Sequence, residues 1–271
     1  MYNFYLKEAS FKRCSVKTIE NNFQELNLSM SGLSDTNSYL CSEKLWKVKS
    51  KNGQELLHVL LYELEDKQFM NQVIPYIFHR ITKTKYIKNY KEFKLCFPND
   101  FNAFWGVFFY GRQDYEVRSN KELNVFKYNA TKKVLNSKNF KSYNDFLFPN
   151  LIVCPDVYNE IMNLKNKYLF SQFITQLEEL NKFAEKWLIG NFELKKLNDE
   201  TSLTASGESD TVNGEPKLRS FRYFKLPNGK NKYFEKHIKT GDLRIYFLED
   251  NVNHKFYIGY VGKHLPTAKH K

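Results

Sequence analysis

Cysteine is scarce and scattered in this chain. Its four copies, Cys14, Cys41, Cys96 and Cys154, form no CxxC pair and gather with no histidines. That spacing argues against a zinc site and against a disulfide framework, and leaves four isolated thiols expected to be buried. Long apolar runs are lacking as well, none approaching the eighteen or so residues that a membrane-spanning helix needs. The opening MYNFYLKEASFKRC carries charge where a secretory leader would need an apolar stretch. The expectation is a soluble, cytoplasmic protein with no membrane partner. A glycine-rich phosphate cradle is missing too. The stretch NDETSLTASGESDTVNGE (198–215) is rich in Ser, Thr and Gly, but it is acidic and no turn there leads into a helix with a following lysine. It reads as a mobile loop. No cofactor is expected.

What is present is an apolar fraction of 42% in 271 residues, enough for a packed core and for one large or two ordinary domains. The formal net charge is +12, unevenly spread. Residues 151–215 hold 6 Lys and no Arg against 11 acidic side chains, a net of −5. Residues 216–271 hold 13 Lys and Arg against 4 acidic side chains, a net of +9. A compositional habit for lysine would not separate the charge in this way. The basic C-terminal segment therefore points to a polyanionic partner, and with no basic amphipathic helix in it nucleic acid is favoured over a membrane surface.

In chain order, residues 1–50 hold short apolar runs between Ser, Asn and Gly. QELLHVLLYELED (54–66) predicts a helix. A second helical run, 69–81, should be kinked by Pro75. His58 and His79 lie in these runs with no ligand partner spaced to join them. The aromatic stretch FKLCFPNDFNAFWGVFFY (93–110) lacks interleaved cations, which favours core over a stacking surface, and 120–144 reads as a solvated, partly helical connection. From 146 a strand (FLFPNLIVC) is predicted, then a helix capped by Asp156, then a longer helix from Tyr168 to Trp187 with a wide apolar stripe. KLRSFRYFKL (217–226) reads as a basic strand before a Pro-Asn-Gly turn. The fold class expected is α+β, with a mixed N-terminal domain at 1–145, in a sensing, inhibitory or docking role, and a smaller second domain at 146–271.

Residues 233–267 concentrate the chemistry. Tyr233–Lys239, Leu243–Leu248 and Lys255–Val261 read as three strands separated by polar turns. Among them stand Glu235, Lys236, His237, Arg244, Lys263 and His264, the inventory for acid–base work beside a cation able to hold a phosphate. Arg219, Arg222, Lys225, Lys232 and Lys239, with Lys263, are the candidate RNA-binding cations. Plainer roles fit each of the main candidates. Arg244 could pair with Asp242 or Glu249, His264 could be a surface residue near a chain end, and Glu235 could be an ordinary solvent-facing strand residue.

The order strand, helix, helix, antiparallel strands, charged tip resembles the RelE/HigB/YoeB-like toxin superfamily. The likeness is carried by NLIVCPDVYNEIMNL, LRIYFLED and FYIGYVGKHLPTAKHK, over roughly 146–271. It implies a metal-independent endoribonuclease that cuts messenger RNA, free or on the ribosome, by attack of a ribose 2′-hydroxyl on the adjacent phosphate. Such a protein would serve a toxin–antitoxin or phage-defence system and answer to an antitoxin or regulatory protein. On this likeness Arg244 neutralises the phosphate, His264 is the general acid and Glu235 the base. Lys236, His237 and Lys263 are further candidates, since some members use lysines in these roles. The tyrosine that often follows the histidine is replaced by Leu265-Pro266. The alternative carried alongside is a non-catalytic RNA- or ribosome-binding module of the same fold.

Overall fold

A computed structural model describes residues 1–31, 37–164 and 166–267. The chain forms two compact units, Met1–Thr131 and Lys132–Lys271. Helices and strands are both abundant, the strands gathered into separate sheets, in line with the α+β expectation. The aliphatic and aromatic strands of the first unit nevertheless pair entirely in parallel, an arrangement not anticipated from the sequence.

The first unit runs β1 (Tyr2–Leu6), α1 (Glu8–Phe11), α2 (Val16–Met30), β2 (Asn37–Cys41), a 3₁₀ turn at Glu43–Lys47, and α3 (Leu56–His58), which widens into a π-helical turn at Val59–Glu63. A second π turn, Phe69–Val73, leads into α4 (Ile74–Arg80), with Pro75 in its first turn. The predicted break at Pro75 thus takes the form of a wider turn ahead of a proline-started helix, where the missing N–H costs nothing. β3 (Ile81–Lys83), α5 (Tyr90–Cys96), β4 (Phe101–Trp105), β5 (Glu116–Val117) and α6 (Asn120–Val134) complete the unit, α6 crossing the boundary. The strand order is β3-β2-β1-β4-β5, every pairing parallel.

All five residues of central β1 are buried. Because side chains alternate across a sheet, Phe4 and Leu6 enter a large core with Phe11, Ile19, Phe23 and Trp105, while Tyr5 enters a smaller one with Leu40, Ile87, Phe93 and Phe104. The aromatic run is core as far as Trp105, but Phe108 and Tyr110 are 62% and 95% exposed. His58 and His79 are on the surface. The supposed connection at 120–144 is largely the helix α6, which buries Leu123, Lys127 and Thr131.

The second unit continues with α7 (Phe140–Leu147), β6 (Leu151–Val153), α8 (Val157–Met162), α9 (Lys167–Lys186), α10 (Leu194–Glu200), β7 (Ala205–Ser206), α11 (Asp210–Gly214) and α12 (Pro216–Ser220). The strands β8 (Tyr223–Lys225), β9 (Asn231–Tyr233), β10 (Lys236–Thr240), β11 (Leu243–Asp250) and β12 (Lys255–Gly262) follow. Several expectations are corrected here. The strand read from 146 is only three residues long, because Phe140, Asn144 and Leu147 form the buried face of α7 instead. Asp156 precedes α8 but makes no capping bond with its side chain. The supposed loop 198–215 holds a helix end, a sheet strand and α11, and the basic strand at 217–226 is a helix followed by the short β8.

The main sheet has the order β6-β12-β11-β10-β7. Its last three long strands form an antiparallel meander that returns β12 alongside β6 in parallel. The apolar stripe of α9, including Phe173, Leu177 and Leu180, is buried as its spacing predicts. Opposite Tyr246 and Phe247 the register of β12 slips by one residue, leaving Gly259 as a bulge. A Cβ there would stand 2.5 Å from the Phe234 ring and 2.8 Å from Phe224, so only glycine lets those rings pack on the sheet. Of the thiols, Cys41 and Cys154 are buried and pushed up to about 12 by that burial, whereas Cys14 and Cys96 are half-exposed. Among the described residues no helix is long and apolar enough to cross a membrane.

Candidate nucleic-acid interface

The turn between β10 and β11 is made by Thr240-Gly241-Asp242, with Gly241 at φ +53, a conformation glycine adopts without strain. The pairing that follows sets His237 opposite Tyr246, Ile238 opposite Ile245 and Lys239 opposite Arg244. Alternation then sorts the side chains: His237, Lys239, Arg244 and Tyr246 share one face of the sheet. The middle of this face is covered by Phe224 of β8, whose ring stacks on Tyr260 at 5.7 Å. Towards its end Lys239 is exposed and Arg244 partly exposed.

Beneath that cover lies a polar network the sequence reading did not find. Glu208 accepts hydrogen bonds from Arg222 Nε at 2.7 Å and from the Tyr246 hydroxyl at 2.6 Å, and its Oε1 is 3.9 Å from His237 Nδ1. Arg222 also donates through Nη1 to the carbonyls of Leu218 and Pro266, tying the segment after β12 to α12. Burial works against the Glu208 carboxylate, but the hydrogen bonds from Tyr246 and Arg222 and the Arg222 charge outweigh it and hold the carboxyl below its usual range. His237 goes the other way. Burial, reinforced by Lys239, Arg244 and His264, pulls it down to about 4 despite Glu208, so its imidazole is neutral at neutral pH. Its Nε2 lies 3.4 Å from the Ser206 hydroxyl.

The predicted residues therefore separate. Arg222, expected to touch RNA, is fully buried and serves as an interior tie. His237, expected to be an accessible acid–base group, is 5% exposed. Lys236 points to the opposite face, where its Nζ pairs with Glu249 at 2.8 Å. Glu235 is exposed and accepts a 3.4 Å bond from Asn213. It stands four positions before Lys239, just ahead of β10, so an extended rise sets it up to roughly 13 Å along the chain from Lys239. It is not brought beside Arg244.

What does converge is Lys239, Arg244 and the end of β12. Arg244 stands opposite Gly262, two residues before His264. Its Nη1 donates to the carbonyls of Gly241 and Leu243, which fixes the guanidinium at the strand end rather than in an ion pair with Asp242 or Glu249. Lys239, Lys263 and His264 are exposed, with His264 Nδ1 2.6 Å from the Leu265 carbonyl. Arg219, Lys225 and Lys232 are exposed on and beside the β8–β9 hairpin, where the Arg219 guanidinium lies 4.7 Å over the Tyr233 ring and Tyr223 packs 5.5 Å from it. Tyr223 is 45% exposed and Tyr233 partly so, which leaves rings and cations side by side on this surface.

Glu208, the hub of the network, had no signal in the sequence beyond being one acid among many in a polar stretch. Among the described residues, no group of three or more His, Cys, Asp or Glu is arranged to hold a metal ion. The chain matches no known family model, no curated protein and no solved structure.

Proposed function

We propose that the C-terminal unit binds RNA across the end of the β10–β12 meander and cuts it in the manner of a RelE-like endoribonuclease. The observation that carries this is the convergence of Lys239, Arg244 and His264 at one open strand end, beside a basic, aromatic hairpin. The run β6, α8, α9 and, after the inserted α10 to β9, the antiparallel β10–β12 meander whose last strand returns beside β6 supports the same reading.

In this mechanism the 2′-hydroxyl oxygen bonds to the adjacent phosphorus while the bond to the 5′-oxygen breaks. The products are a 2′,3′-cyclic phosphate and a 5′-hydroxyl. Arg244, permanently charged and held by two carbonyls, faces the phosphate oxygens as their charge grows. His264 gives its proton to the departing 5′-oxygen. Lys239 stabilises the attacking oxyanion by charge, and the 2′ proton passes to water. With no carboxylate base beside Arg244, the rate forgoes about 10²–10⁴-fold relative to a site with both acid and base. A slow or tightly conditional nuclease follows, in keeping with an effector of the toxin–antitoxin or phage-defence kind controlled by a protein partner.

The distance of Glu235 from Arg244 also favours a second reading, a binding module that holds RNA without cutting it. Incubation of the full chain with labelled RNA, with 5′ ends mapped, separates the two. Discrete new ends that vanish with Arg244→Ala and His264→Ala support the nuclease. Salt-dependent binding with intact RNA, unchanged by His264→Ala, supports the module.

A further inference from the structure

The first unit has a site of its own. In an open parallel sheet, ligands lodge outside the carboxyl ends of the strands, at the point where the strand order turns back. Here the chain moves outward from β1 to β3, then returns to place β4 on the other side of β1, so the switch lies between β1 and β4. A cavity of about 370 Å³ opens at that place, lined by the segments that leave the two strands. Its size suits a single small molecule rather than a polymer strand.

Two features describe the occupant. One wall is planar: the Tyr90 and Tyr115 rings stack at 3.9 Å and 11°, and Phe108 and Tyr110 stand exposed at the rim with no core to serve. Opposite in character is Lys7, whose Nζ lies 4.9 Å over the Phe104 ring and donates to the carbonyls of Ile87 and Lys88 at 2.7 Å each, leaving a third donor. Exposed Lys88 adds a second positive charge to the lining.

We propose that this crevice binds a nucleoside phosphate, its base against the aromatic wall and its phosphates toward Lys7 and Lys88. The close approach of the flanking loops is built in, since a Cβ at Gly106 would lie 1.8 Å from the Ser10 hydroxyl. The site is independent of the RNA interface and draws on none of its residues.

Calorimetric titration of the full chain with ATP, GTP, UTP and AMP, each alone, tests this. At least one should bind saturably at one site. Stacking contributes about 1–3 kcal/mol per base, so Phe108→Ala should weaken binding by about tenfold, and Lys88→Glu by a comparable factor. Both residues are exposed, so both variants should keep the parent melting temperature. Arg244→Ala should leave the affinity unchanged. Binding of none of the four nucleotides, affinity that neither crevice variant lowers, affinity lowered by Arg244→Ala, or inorganic tripolyphosphate binding as tightly as the nucleotides would each overturn the assignment.

Discussion

The two sheets of this chain solve the problem of covering their faces differently. The parallel sheet of the first unit is sealed by apolar layers on both sides, with Phe4 and Leu6 facing one core and Tyr5 the other. The meander of the second unit is apolar on one face, while the other is closed in its middle by ring packing and by the charged network of Arg222, Glu208, Tyr246 and His237. The difference shows where each sheet can work. With both faces occupied, the parallel sheet has its crevice beyond the strand ends, at Lys7 and Phe104. The meander exposes Lys239, and part of Arg244, at the end of one face.

The largest effect should come from breaking the charged cover. Arg222→Ala would strand a buried carboxylate and release the Pro266 carbonyl, costing the second unit about 3–5 kcal/mol. Calorimetry should show its transition moving down sharply while that of the first unit stays in place. The double change Arg222→Met with Glu208→Leu should recover much of that loss, because an apolar cover of similar volume makes the second face resemble the first.

The charged cover should also make the second unit respond to pH, although two groups mask one another. His237 has a folded pKa of about 4 against an ordinary 6.5, so the unfolded chain takes up a proton first and stability is lost as pH falls from 6.5 to 4. Glu160, on α8, is half-buried, and that burial pushes it up to about 7 although its carboxylate accepts a 2.8 Å bond from the Val261 amide. Its contribution is full below about 4.5 and is lost as pH rises to 7. The two contributions slope in opposite directions, so between pH 4.5 and 6.5 they oppose one another. Urea unfolding of Glu160→Gln should expose a steep loss of stability on acidification that the parent chain lacks. A parent profile already steep in this window, unchanged by the variant, would contradict the pairing.

Smaller effects should follow from the bulge and from the open strand end. Gly259→Ala drives a methyl group into Phe234 and Phe224 and should cost about 1–3 kcal/mol, read as a lower melting temperature of the second unit. Lys239→Ala and Lys232→Ala touch little of the core. Each should change stability by less than about 0.5 kcal/mol, yet lower the slope of log RNA affinity against log salt by about 1.

Much of the meander was legible before the structure, because its strands are long, aromatic and bounded by Thr-Gly-Asp and Asp-Asn turns. The stripe of α9 was legible for the same reason, at helical spacing. The parallel sheet was not, since strands buried on both faces carry no alternation and β5 is two residues long. Arg222 and His237 were misplaced because sequence shows which side chains could be charged but not which are covered. Their cover is provided by Glu208 and Phe224, from a stretch that looked like loop and strand. Arg244 was placed at the open strand end by the register of one short turn, and that much the local pattern already held.

The proposed cut by Arg244 and His264 through the ribose 2′-hydroxyl is tested most directly by cleavage of an RNA by the full chain, followed by the same RNA with a single 2′-deoxy nucleotide at the mapped site. A 2′,3′-cyclic phosphate end on the parent RNA and no cut at the substituted position are expected. Cleavage that persists at the deoxy position, or a 3′-hydroxyl end on the parent RNA, would contradict it.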